Sequence, residues 1–251
     1  MKKNEIIKCR DKFKDVLNIR LLGFEAVDFY HNTSLLKNQN DLTNKIFYGF
    51  YYSERDNFLN INGFSYSKVS VKVNTILELI ASRVQLTQMT KDDIIGDIYE
   101  HTIYGQKIRE DQDSSDLIYK IHFVENGIFY EERMVELAEM FKRHIEIYIQ
   151  PFFDSLTSLQ EINDKIIDKY PENEWSNYFF KHTNLKVTII MKLCNNPRYQ
   201  SFSKMISERI SEALFDQGKT EYKDYYNVYC TLLKYLDNEE YKQDAVLITK
   251  N

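Results

Sequence analysis

Five histidines, three cysteines and several carboxylate pairs are the side chains of this chain best suited to chemistry. A metal site asks for two or more of them on one face at ligand spacing. His31, His101, His122, His144 and His182 form neither H-x-x-x-H nor H-E-x-x-H. His101 and His122 fall on neighbouring strand candidates, where a sheet could bring them together beside Glu100. That group is the one enzymatic constellation the spacing offers, with exposed sheet histidines as the plainer reading. Asp92-Asp93 with Asp97, and Glu131-Glu132, are adjacent in sequence. General acid–base work needs opposed carboxylates in different environments, which adjacency does not supply. Thr90 with Asp93 reads as a helix cap. Cys9, Cys194 and Cys230 are far apart and lack C-x-x-C spacing, so neither a disulfide framework nor a redox pair is expected.

Other chemistries lack their raw material. Asp111-Gln112-Asp113-Ser114-Ser115-Asp116 opens like a calcium loop, but position 6 is Asp116 where the turn needs glycine, and position 12 is His122 where it needs a bidentate carboxylate. There is no G-x-S-x-G, no G-x-G-x-x-G and no Walker loop. Seven widely spread glycines cannot build a phosphate cradle. No catalytic residue, metal or cofactor is therefore expected. The 33 basic and 38 acidic residues are mixed along the chain, giving a net charge of −5 and no basic stripe for a phosphate backbone. Lys2, Lys3, Lys8, Arg10, Lys12 and Lys14 come closest, but Glu5, Asp11 and Asp15 interrupt them, as on a solvated helix face. RNA binding through a sheet face would need stacked aromatics beside Lys68 and Lys72.

What the chain has in quantity is aromatic surface: 19 Tyr, 16 Phe and one Trp. Tyr and Trp concentrate at protein interfaces, although Lys-, Asn- and Ile-rich chains of AT-rich genomes also carry many tyrosines. Tyr51 and Tyr52, with Trp175 and Tyr178 in the dense run up to Phe180, are the expected partner contacts. The plainer reading of the cluster around Trp175 is a helix packing onto the sheet domain.

The elements that must position these residues follow from a change of rhythm near residue 130. Before it, apolar residues alternate in short runs; after it, they recur every three or four positions. The order predicts an α+β fold: an N-terminal helix and a mostly antiparallel sheet, followed by a helical C-terminal half. The spacing predicts a helix over 4–22 stopped by Gly23, a strand over 24–30, and a hairpin of 45–53 with 57–66. A strand is expected over 67–73, with Val69, Val71 and Val73 on one face and Lys68 on the other, after a bulge near Tyr66. Further strands are expected over 97–109 and 115–125, closed by Asn126-Gly127. Met134, Leu137, Ala138, Phe141, Ile145 and Tyr148 make one helical stripe, ended by Pro151. Ser158 to Glu161 is a capping box. Helices are expected over 173–182, 184–195, 199–216 and 221–237. The chain divides into an α+β domain, 1–170, and a helical extension, 171–251. No apolar stretch follows Met-Lys-Lys-Asn-Glu and none reaches membrane-spanning length, so neither a signal peptide nor a membrane span is expected, and the expected location is cytoplasmic.

Phe13, Leu17, Leu22-Gly23-Phe24 and Phe29-Tyr30, then Ile149, Pro151-Phe152-Phe153-Asp154 and Ser158 to Ile162, carry a resemblance. Over about residues 1–170 the layout resembles a bacterial family of domains of unknown function. It departs from that pattern at Glu25 and Ala26, where basic residues usually follow the Gly-Phe step. The family has no established catalytic residues. Similar compact α+β proteins include immunity proteins that neutralise toxins. The combined expectation is a bacterial protein-interaction module, regulatory or toxin-neutralising, without catalytic activity.

Overall fold

The computed structural model describes residues 3–18, 22–30, 32–55, 58–87, 102–104, 122–126, 128–179 and 181–243. Glu100, His101, the acidic pairs at 92–97, the calcium-like stretch 111–116, Phe180 and the tail beyond 243 lie outside them. The fold is α+β, with an N-terminal helix, an antiparallel sheet and a helical C-terminal half. Two compact units are present. The first comprises residues 1–39, 43–67 and 105–155; the second comprises 40–42, 68–104 and 156–251.

In the first unit, α1 (Lys3–Leu17) ends earlier than its apolar spacing predicts. Asn18 takes the left-handed conformation, φ 51°, and its N–H returns to the Lys14 carbonyl at 3.0 Å, which stops the helix before Gly23. Gly23 has φ 74° and leads into the first strand, a conformation few other residues accept. β1 (Glu25–Phe29) and β2 (Asn32–Gln39) form a hairpin whose turn has Tyr30 at φ 54°. β3 (Leu42–Ser53) buries every second residue, with Asn44, Ile46, Tyr48 and Phe50 inward. β4 (Phe58–Ser70) follows; its residues from Lys68 on belong to the second unit, where β5 (Ile103–Tyr104) pairs with it and Thr102 N–H reaches the Lys68 carbonyl at 2.9 Å. β6 (Val124–Glu125) and β7 (Ile128–Phe129) close the sheet in the order β1-β2-β3-β4-β6-β7, across a turn in which Asn126 has φ 52°. Phe13 of α1 meets Tyr48, Phe50 and Phe141 edge-on at 5.5–6.0 Å between ring centroids, the arrangement aromatic quadrupoles favour.

One strand expectation and one helix expectation need correction. The strand predicted over 67–73 stops at Ser70, because the Ser70 hydroxyl accepts the Val73 N–H at 3.3 Å and caps α2 (Val71–Arg83). Tyr66, Lys68 and Ser70 are all buried while Val69 is half-exposed, so the inward phase of Tyr66 runs on and Lys68 points in. Pro151 does not end its helix. A proline in a regular helix loses one N–H bond and collides with the carbonyl four residues back. Here α3 (Glu131–His144) widens into a π turn over Ile145–Ile149, Gln150 N–H bonding the Ile145 carbonyl, and resumes as α4 (Gln150–Ser155). Ile149 takes the buried place and Tyr148 is half-buried.

In the second unit, the Ser158 half of the capping box forms at α5 (Leu159–Ile162): Ser158 Oγ accepts Glu161 N–H at 3.2 Å, while the Glu161 carboxylate reaches one residue further back and accepts the Thr157 N–H and, at 2.7 Å, its hydroxyl. A 3₁₀ turn over Glu172–Asn177 precedes α6 (Thr183–Leu193), α7 (Tyr199–Ser211) and α8 (Lys223–Asp237), close to the predicted spans. α2 packs on α6 and α8, and Ile76, Leu77 and Ile80 of α2, Ile189 of α6 and Leu232 and Leu236 of α8 are all under 2% exposed. α6 ends in a Schellman motif: Asn195 has φ 52°, Asn196 N–H reaches Met191 O at 2.8 Å and Asn195 N–H reaches Lys192 O at 3.2 Å. No described helix is long and apolar enough to cross a membrane.

Candidate protein interface

A sheet leaves two edge strands, and an edge offers unpaired N–H and C=O groups to any strand that approaches. Beside the two-residue β5, which lies off the main path against β4, the two ends of that path differ. β7 is two residues long, and Lys12 of α1 lies over its Phe129 ring at 4.9 Å while pairing with Glu131 at 3.0 Å. A short edge with a cation above it is a poor template. β1 is five residues long, all exposed, and among the described residues it pairs with β2 alone. Val27 is 54% and Phe29 69% exposed, and Tyr30 at the turn is 54% exposed with its ring against Phe29 at 4.5 Å.

The register explains this exposure. Ala26 and Asp28 stand opposite Leu35 and Thr33, which are buried, so they share the inner face. Glu25, Val27 and Phe29 therefore face outward, and Val27 with Phe29 puts apolar side chains on the side where alternation normally places polar residues.

α1 holds this strand through a polar clamp. Arg10, only 7% exposed, donates to the Tyr30 carbonyl and lies 3.3 Å from the Asp28 carboxylate. Its guanidinium also donates to Asp11 at 2.7 Å. Lys14 pairs with Asp28 as well, and Thr33 Oγ1 donates to Asp28 at 2.9 Å. Partial burial works to raise the Asp11 carboxyl, but hydrogen bonds from Arg10 and Lys14 outweigh it and hold the group below the ordinary carboxylate range. Burial pushes the nearby Tyr48 phenol well above its usual value, so it stays neutral. Two cations, two carboxylates and a hydroxyl thus fix β1 to α1, and the exposed strand is preorganised.

The residues expected to contact a partner fall elsewhere. Tyr51 is 50% exposed and Tyr52 half-buried on β3. Trp175 is 1% exposed: it packs on Phe202 at 5.4 Å, and its indole N–H donates to the Tyr170 carbonyl at 2.9 Å, so it is core and offers no surface. Tyr178 is half-buried against Tyr170, at 5.0 Å, with its phenol raised by burial and by that neighbour. Aromatic density did not single out the exposed Val27, Phe29 and Tyr30. Val27 and Phe29 share one parity of the strand predicted over 24–30, and the register against β2 is what places that parity outward.

The catalytic alternatives gain little. His122 stacks flat on Phe58 at 4.1 Å, and its carbonyl accepts Arg133 Nη1 at 3.1 Å. No group of three His, Cys, Asp or Glu able to hold a metal exists among the described residues. A cleft of about 1060 Å³ in the second unit is lined by Arg83, Thr87, Lys223, Asp224 and Cys230, among others. There Asp224 accepts both the backbone N–H and the hydroxyl of Thr87, at 3.2 and 3.1 Å, and Arg83 pairs with Glu240 at 2.7 Å. Lys68, wanted on an open face for RNA, is buried. Burial raises the Cys194 thiol to about 12, with Asp164, Asp41 and Asp168 acting the same way, so it is a protonated, inert group at neutral pH. No family model, curated protein or solved structure matches the chain.

Proposed function

We propose that this chain is a non-catalytic protein-interaction module that receives its partner along β1. The observation that carries this reading is the outward Val27–Phe29 stripe on an uncovered, clamped edge strand. Strand addition draws its affinity from main-chain hydrogen bonds and its selectivity from alternate side chains. A rigid β1 supplies both without an ordering cost. The acidic balance of the chain and the resemblance of its first 170 residues to a bacterial family favour a regulatory or toxin-neutralising role, in the cytoplasm.

The test is quantitative affinity capture from the source cells with the wild type, Val27→Lys, and Tyr51→Ala as a surface control. A stoichiometric protein retained by wild type and Tyr51→Ala but lost by Val27→Lys is the expected result. Equal retention by all three removes β1 from the account. A purified chain that carries a stoichiometric metabolite and no protein overturns the interaction reading.

A further inference from the structure

We draw no further inference here: the strongest candidate, the largely apolar groove between α7 and the start of α8 lined by Ile206, Ile210, Ala213, Tyr222 and Tyr225, is an unpartnered face, and nothing in the structure shows what covers it.

Discussion

Replacing Arg10 with alanine measures the clamp that makes β1 a fixed edge. Arg10 is nearly buried and donates to the Tyr30 carbonyl while standing beside Asp28 and Asp11. A hydrogen bond to a charged group is worth about 1.5–3 kcal/mol net. Stranding a buried charge costs about 3–5 kcal/mol. Asp28 is not stranded, because Lys14 and Thr33 remain, and Asp11 is half-exposed. The loss therefore falls between the two limits on the low side, at about 2–3 kcal/mol. Urea unfolding of Arg10→Ala, Asp28→Asn and the double variant gives the coupling directly. The expected interaction energy is at least ~0.5 kcal/mol, as for groups in one network. Hydrogen exchange of the β1 amides should accelerate in Arg10→Ala beyond what global stability explains. A single-variant loss under ~0.5 kcal/mol, or strict additivity, would refute the clamp.

Three further outcomes follow from particular contacts. Trp175→Ala should cost about 3–5 kcal/mol in urea unfolding, as a cavity in a sealed site, while Tyr51→Ala should stay within about 0.5 kcal/mol, as an exposed site does. Asn195→Gly should stabilise by roughly 0.5–1 kcal/mol, because glycine accepts the left-handed conformation that Asn195 holds at the end of α6; a lower urea midpoint would refute that reading of the motif. Hydrogen bonds from Lys165 and then Thr157 hold the Glu161 carboxyl down at about 2, against its ordinary 4.5. Below 4.5 the unfolded chain binds the proton first, so this stabilisation is complete above 4.5 and disappears as pH falls through about 2. Asp11, also lowered, acts in the same direction. Glu161→Gln should flatten the acid side of the urea midpoint against pH.

The sequence made the helical half legible because its signals are local. Ser158 caps its helix through the Glu161 N–H wherever the two stand, and the periodic stripes of α6, α7 and α8 survive packing. Asn126 marks its hairpin turn for the same reason. Ser70 acts as a cap only because α2 turns away there, and alternation alone extends the strand past it. Pro151 normally stops a helix, yet a π turn absorbs the missing N–H, an accommodation visible only in the backbone. The exposed stripe of β1 was illegible for a different reason. Val27 and Phe29 look like any inward strand pair until the register against β2 assigns them the outer face. Trp175 errs the other way: the residue type most typical of hot spots also fills cores, and only burial separates the two uses.

The most direct measurement is amide hydrogen exchange across β1, read residue by residue without and then with the captured partner. The Phe29–Asn32 pair closes a two-residue turn and is of the hydrogen-bonded kind, so Glu25, Val27 and Phe29 direct their amides toward β2, and Ala26 and Asp28 direct theirs to the open side. Pairing along the open edge predicts that the Ala26 and Asp28 amides slow, while Glu25, Val27 and Phe29, already bonded to β2, change little. Exchange at Ala26 and Asp28 that is the same free and partner-bound would contradict the claim that β1 is where this protein meets another.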